Sequence, residues 1–96
     1  MTAATSYRLR LYIAGDAPTS AQAVANLAAI CRTHLADRHE IELVDVLDEP
    51  GRALSDGIFM TPTLVRLEPS PPMRIVGSLN HQQPVLHALG LDAVPA

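Results

Sequence analysis

The sequence predicts a single α/β domain, and three observations support this fold class. The length of 96 residues is enough for one domain with one modest core. The composition, 48% hydrophobic and 18% charged, is too apolar for a disordered chain, yet no apolar run approaches the roughly 20 residues that span a membrane. Along the chain, stretches whose apolar residues alternate with period two, as in strands, are interspersed with stretches whose apolar residues have helical spacing. We therefore expect a chain that folds in water.

The first predicted elements are a strand over residues 7–14 and a helix that begins at Thr19 or Ser20. Leucine and isoleucine alternate with arginine and tyrosine along the strand, as in a sheet with one less buried face. Thr19 and Gln22 have the spacing of a capping box. One apolar stripe then follows the helix: Val24, Leu27, Ala28, Cys31 and Leu35.

Three further strands and two further helices are predicted after this helix. A strand within residues 41–47 leads to a short helix that Asp48 caps and Gly57 ends. The third and fourth strands lie at 63–67 and 73–76. The proline-rich stretch between them forms a rigid turn, so these two strands are close enough to pair antiparallel.

A last helix is capped near Asn80 or Gln83 and stops at Gly90. The order strand, helix, strand, helix, strand, strand, helix is thioredoxin-like, and a right-handed crossover makes the first two strands parallel neighbours. Thioredoxin-like folds carry a cis-proline where Pro62 enters the third strand, so we expect Pro62 to be cis. The predicted organisation is a flexible N-terminus, one domain and a short tail, at residues 1–6, 7–92 and 93–96.

Charge and cysteine content exclude several classes of function. The net charge is −3, and the seven basic residues are arginines that stand singly, without the basic stripe and interleaved aromatics of a nucleic-acid binder. The one cysteine, Cys31, excludes an internal disulfide and a thiolate zinc site. Residues 1–6 have neither the charge nor the apolar run of a signal peptide, so the expected location is the cytoplasm.

No residue pattern indicates catalysis or a cofactor. A thioredoxin carries its redox cysteines where the first helix begins, and residues 15–20 contain none. Cys31 lies on the apolar stripe and is predicted to be a small buried side chain. The four histidines lack metal-ligand spacing and are expected at or near the surface: His34, His39, His81 and His87.

Two groups of charged residues have open interpretations. Three carboxylates follow the second strand and could hold a divalent cation or simply cap a helix: Asp45, Asp48 and Glu49. Three arginines could line an open sheet face together with Tyr12: Arg8, Arg10 and Arg66. That face would be a docking surface or a solvated face with scattered charge.

Several stretches of the sequence together resemble one known family. The first is Leu-Arg-Leu-Tyr-Ile-Ala-Gly-Asp-Ala-Pro-Thr-Ser at residues 9–20. The others are residues 44–47, 61–64 and 74–77, with Pro71 and Leu79 beside them. This pattern is similar to that of KaiB, the small cyanobacterial circadian clock protein, and its bacterial relatives, and the resemblance covers residues 7–91.

The resemblance implies a non-enzymatic regulator with two folds. KaiB proteins rest as tetramers in a fold of their own, and rearrange their second half into a thioredoxin-like monomer that binds the ring ATPase KaiC and sequesters KaiA. A related thioredoxin-like domain forms the sensor end of a clock-output histidine kinase, which is the alternative function. A thioredoxin-like redox protein is disfavoured because a second cysteine is missing.

The resemblance also assigns residues to partner binding and to the choice between the two folds. A KaiC-like ATPase would dock on segment 48–61 and the neighbouring third strand. The expected contact residues are Asp48, Asp56, Arg66 and Arg74. The expected determinants of the fold are Pro62, Ala88 and Gly90. Ala88 favours a closing helix and Gly90 provides its left-handed stop, so we expect the isolated chain to be mostly thioredoxin-like and monomeric, with a homotetramer as the alternative form.

Overall fold

The computed structural model describes residues 6–91, and its elements follow the predicted order. The strands are β1 (Tyr7–Ile13), β2 (His39–Asp45), β3 (Thr63–Glu68) and β4 (Met73–Val76). The helices are α1 (Pro18–His34), α2 (Pro50–Ser55) and α3 (Gln82–Leu89). The predicted flexible N-terminus, apart from Ser6, and the predicted tail lie outside the described residues.

The four strands form one mixed sheet in the order β2-β1-β3-β4. β1 pairs in parallel with β2, which confirms the predicted crossover, and β3 is antiparallel to both β1 and β4. The Thr61–Pro62 peptide bond is cis, as predicted. The fold is therefore the predicted thioredoxin-like arrangement, and β3 occupies a central position in the sheet.

Both faces of the sheet are covered. Helices α1 and α3 enclose the larger core on one face, around residues such as Leu11, Leu27 and Leu89. Helix α2 and the residues after it close a smaller core on the other face, from Tyr12, Val44, Ala53, Ile58 and Val65. The expectation that the Tyr12 face is less buried holds for Arg8 but is wrong for Tyr12 itself, because α2 covers it.

The helix starts differ from the predicted caps. Helix α1 begins at Pro18 without a side-chain cap, so the predicted capping box of Thr19 does not form. Ser20 is buried instead, and its Oγ accepts a hydrogen bond from the Ala14 N–H at 3.1 Å. Helix α2 follows Glu49 rather than Asp48, again without a side-chain cap. Proline in the first turn of both helices carries no N–H, which reduces the need for a capping oxygen.

The predicted C-terminal stops are confirmed for the last two helices. Gly57 follows α2 with φ of 70°, and Gly90 follows α3 with φ of 75°, both in the left-handed region. At the start of α3, however, neither Asn80 nor Gln83 is the cap: the flanking residue is His81. The Asn80 side chain instead accepts a hydrogen bond from the Asn26 amide at 3.0 Å.

Candidate functional site

An exposed apolar surface lies where α2 meets the segment leading to β3. We call it the α2 patch and define it as Leu54, Phe59, Met60 and Val76. Phe59 is 88% exposed and Leu54 is 73% exposed. Two shallow clefts of about 360 and 170 Å³ open on this surface, and Phe59 and Met60 line both. The clefts therefore join into one continuous apolar surface.

Local hydrogen bonds hold the segment of the patch in place. The Ile58 N–H donates to the Ala53 carbonyl at 2.9 Å, and the Ile58 side chain enters the smaller core. The Thr63 hydroxyl donates to the Met60 carbonyl at 2.6 Å. With Ile58 turned inward and the chain tied at Met60, Phe59 projects into solvent. Contiguous exposed apolar surface of this kind is typical of interaction sites.

A polar network beside the patch ties α2 to the sheet. The Tyr12 hydroxyl donates to the Asp56 carboxylate at 2.5 Å. The Arg10 guanidinium donates to the Glu42 carboxylate at 2.8 Å and lies 3.6 Å from that of Asp56. Arg52 of α2 donates to the second Glu42 oxygen at 2.7 Å. Glu42 of β2 therefore links Arg52 of α2 to Arg10 of β1. Asp56, directly after α2, makes a second link to β1 through Tyr12 and Arg10.

This network shifts the pKa values of its members. Hydrogen bonds from Arg10 and Arg52 lower the pKa of the Glu42 carboxyl below its usual value. Burial raises the pKa of the Tyr12 hydroxyl, and its hydrogen bond to Asp56 raises it further. Neutral Tyr12 and ionised Glu42 are thus the forms that the folded chain favours.

Three of the four predicted contact residues lie around α2. Asp48 is exposed on the turn before the helix. The Asp56 carboxylate is held by Tyr12 and Arg10, and the Arg74 guanidinium donates to the main-chain carbonyls of Asp56 and Gly57 at 2.6 and 3.0 Å. Asp48 thus remains available to a partner, whereas Asp56 and Arg74 already have partners within the chain.

The fourth predicted contact residue, Arg66, is not on this surface, and the prediction of an open face shared by Arg8, Arg10 and Arg66 is wrong. Arg66 pairs with Leu9 in β1 and with Met73 in β4, on the face that α1 and α3 cover. It is only 8% exposed and donates to the Ala88 and Pro71 carbonyls. The register between strands decides which side chains share a face, and the sequence of each strand does not reveal that register.

Three of the four residues of the α2 patch lie within the predicted docking segment 48–61, but none of the four was among the predicted contact residues. The available signal was the run of three apolar residues at 58–60 directly after Gly57, where a connecting segment is usually polar. A turn there need not bury its apolar side chains. Only the packing of Ile58 against the sheet shows that its two neighbours face outward.

The predicted burial of Cys31 is confirmed. Its side chain is fully buried in the larger core, and burial raises the pKa of the thiol to about 11. The thiol is therefore neutral at physiological pH and is shielded from disulfide exchange.

Asp45, the last residue of β2, stabilises the turn that follows the strand. One Asp45 oxygen accepts hydrogen bonds from the N–H groups of Gly15 and Leu47, at 3.1 and 2.9 Å.

Residues 6–91 contain no group of three or more histidine, cysteine or acidic side chains placed to hold a metal ion. The four histidines are exposed or half-buried, as predicted. Within the same range, no helix has the length and apolar character needed to cross a membrane.

The fold and the site together define a class: a thioredoxin-like domain without cysteines where the first helix begins and with an exposed apolar patch beside its short helix. The family model of the KaiB domain matches residues 10–91. The chain belongs to the KaiB family.

Curated relatives carry circadian clock names. The chain is 46% identical over 87 residues to circadian clock protein KaiB3 of Synechocystis sp., a match that covers 91% of this chain and 83% of the relative. It is 38% identical over 92 residues to circadian clock oscillator protein KaiB of Prochlorococcus marinus, covering 96% and 86%.

Solved structures support the same fold. The N-terminal domain of SasA from Synechococcus elongatus superposes with a TM-score of 0.73 at 19% identity, covering 100% of this chain and 94% of that domain. Chloroplastic thioredoxin z superposes with a TM-score of 0.75 at 17% identity, covering 93% and 80%. The backbone fold is thus shared with both the SasA domain and a thioredoxin.

Proposed function

We propose that this chain is a clock-type regulator that acts without catalysis of its own, by binding a KaiC-like ring ATPase in the cytoplasm and modulating its phosphorylation or output. Membership of the KaiB family is the observation that carries this proposal. The thioredoxin-like arrangement described above is the form that binds. A KaiA-like protein is a further candidate partner.

The α2 patch is the proposed centre of the docking surface. Phe59 supplies an aromatic side chain that a partner can bury, the kind of residue that often dominates binding energy. Charged groups lie at both ends of α2, with Asp48 before the helix and the Arg74 guanidinium at the carbonyls that follow it. Apolar contacts at the centre provide affinity, and the charged rim provides orientation and a faster encounter.

We also propose that the chain has a second, tetrameric fold, in which the α3 segment becomes a strand. Pro62, Ala88 and Gly90 are the proposed determinants of the balance between the two. Ala88 lies within α3 and Gly90 directly follows it in the left-handed conformation, so both suit the helical form. The thioredoxin-like form would then be the monomer.

A second candidate function is that of a detached sensor domain of a clock-output histidine kinase. The SasA N-terminal domain aligns with all of this chain, which favours this candidate on the fold alone. A kinase fused to this domain would support it, whereas a nearby gene for a KaiC-like ATPase would support the first proposal.

Binding of the purified chain to a KaiC-like ATPase tests the proposal. We expect a complex, and we expect Phe59→Ala to weaken it by about tenfold or more because the central aromatic contact is lost. Asp48→Lys should weaken it by a smaller factor through the charged rim. Leu43→Ala is the control: Leu43 is also an exposed apolar residue, at 50%, but it lies on β2 and lines neither cleft.

Unchanged affinity in both Phe59→Ala and Asp48→Lys would move the docking surface elsewhere. Equal losses in Phe59→Ala and Leu43→Ala would have the same meaning. Failure of the wild-type chain to bind would overturn the proposed function.

A further inference from the structure

Two arginines of the β3–β4 hairpin project to opposite faces of the sheet. Arg66 pairs with Met73, and Val65 pairs with Arg74, so Arg66 and Arg74 lie on different sides. Arg66 reaches the end of α3, and Arg74 reaches the end of α2. Each guanidinium donates to main-chain carbonyls where a helix ends.

At the end of α3, Arg66 binds the carbonyl of Ala88, to which no main-chain N–H of residues 6–91 donates. The Leu91 N–H donates to the Leu86 carbonyl at 2.7 Å, and the Gly90 N–H donates to the His87 carbonyl at 3.0 Å. These two bonds close the helix end and leave the Ala88 carbonyl, which accepts from Arg66 Nη1 at 3.1 Å. The other terminal nitrogen of Arg66 donates to the Pro71 carbonyl of the β3–β4 turn at 2.6 Å.

Arg74 makes the corresponding contacts at the end of α2. The Asp56 and Gly57 N–H groups donate back into the helix, to the carbonyls of Arg52 and Leu54 at 3.0 and 3.1 Å. The carbonyls of the same two residues accept from Arg74 at 2.6 and 3.0 Å. A cation at a helix C-terminus also interacts favourably with the negative end of the helix dipole.

A left-handed glycine ends each helix directly against the guanidinium. A Cβ atom at Gly90 would lie 3.4 Å from Arg66 Nη1, and one at Gly57 would lie 3.8 Å from the Arg74 nitrogens. Positive φ and the close approach of an arginine therefore coincide at both helix ends.

The two arginines differ in burial. Arg66 is 8% exposed, its Nε has no hydrogen-bond partner, and it takes part in none of the ion pairs within residues 6–91. A buried charge needs partners, and its two acceptors are carbonyls of the helix end and the turn. Arg74 is exposed, so water can replace its acceptors at little cost.

We propose that the β3–β4 hairpin is a two-sided clamp, in which Arg66 holds α3 in its docked helical form and Arg74 holds the end of α2. Arg66 is the stronger side because it is buried. A strand over the α3 segment would not present the free Ala88 carbonyl in the same place. Arg66 therefore favours the helical form of α3. Whether this contact also affects a change of fold rests on the proposed function, which includes the second fold.

Hydrogen exchange in paired variants tests the clamp. We expect Arg66→Met to speed amide exchange in residues 82–89 by about tenfold or more, with little change in residues 50–57, because a buried carbonyl loses its donor. Arg74→Met is the matched control from the neighbouring strand. It should act on residues 50–57 instead, and by a smaller factor.

Unchanged exchange in α3, or equal acceleration of both helices by Arg66→Met, would overturn the clamp. Arg66→Lys covers the case in which Arg66→Met does not fold. Lysine keeps the charge but cannot donate to both carbonyls with a planar fork, so we expect a smaller acceleration confined to α3. Wild-type exchange in Arg66→Lys would contradict the proposed role of the fork.

Sedimentation of the same variants separates the clamp from the proposed change of fold. If Arg66 also biases the fold, Arg66→Met should raise the tetramer fraction and Arg74→Met should not. Faster α3 exchange with no tetramer at any concentration would support the clamp and count against the second fold.

Discussion

At the scale of single residues, burial decides what Cys31 can do. The residue lies on α1 within the larger core, and no cysteine is present where a thioredoxin places its attacking thiolate. The thiolate is the reactive form of cysteine, and burial in apolar surroundings disfavours it. The core position therefore makes Cys31 a packing residue.

Alkaline pH should destabilise the fold through Cys31. Its pKa rises from 9.0 to about 11 on folding, so the unfolded thiol ionises first. Below pH 9 this titration does not reduce the free energy of unfolding. As pH rises from 9 toward 11, the free energy of unfolding falls by an amount on the order of 2 kcal/mol. Urea unfolding at several pH values in this window should show a steeper loss of stability for the wild type than for Cys31→Ala. Equal slopes would contradict this prediction.

At the scale of elements, α2 is too short to be stable by itself. It has six residues, and isolated helices of this length do not persist in water. Its position depends on Ala53 and Ile58 in the smaller core and on polar contacts from the sheet. The α2 patch is therefore held from outside the helix.

Glu42→Gln should weaken this attachment in a pH-dependent way. The pKa of Glu42 is lowered in the folded chain, so its contribution is present above the usual value of 4.5 and is lost as pH falls below it. Glu42 is 45% exposed, so we expect no more than about 0.5 kcal/mol at neutral pH, decreasing with added salt. Urea unfolding at pH 7 and pH 3 measures this. A loss in Glu42→Gln that persists unchanged at pH 3 would contradict the ionic origin.

At the scale of the whole molecule, the β3–β4 hairpin connects both faces of the sheet. Its side chains enter the larger core at Leu64, the smaller core at Val65, and the ends of two helices at Arg66 and Arg74. A rearrangement that moved this hairpin would disturb contacts on both faces of the sheet. Such coupling favours two discrete states over gradual deformation.

Ala88→Gly should shift the chain toward the proposed tetrameric fold. Glycine in a helix interior costs about 1 kcal/mol relative to alanine, equivalent to a roughly fivefold change in a two-state population, and Ala88 lies in the last turn of α3, so we expect a shift of up to about fivefold. Sedimentation velocity measures the tetramer fraction. Ala25→Gly is the control, because Ala25 is an exposed residue inside α1 and the substitution carries at least the same helix cost outside the α3 segment. Equal tetramer fractions in the two variants would contradict a specific role for Ala88.

The sequence by itself determined the order and type of the elements, the parallel first crossover and the burial of Cys31. These features follow mainly from local signals: hydrophobic periodicity defines strands and helices, and a glycine directly after a helical stretch indicates a left-handed stop. Gly57 and Gly90 were found in this way.

Only the tertiary structure decided which charged and apolar residues remain available to a partner. The sequence predicts Arg66 to be an exposed cation, whereas the pairing of β1, β3 and β4 places it under α3. Asp56 is engaged by Tyr12, from a strand 44 residues away in sequence, and Phe59 is exposed because Ile58 packs inward. Register and helix docking depend on contacts between distant parts of the chain, and no local pattern encodes them.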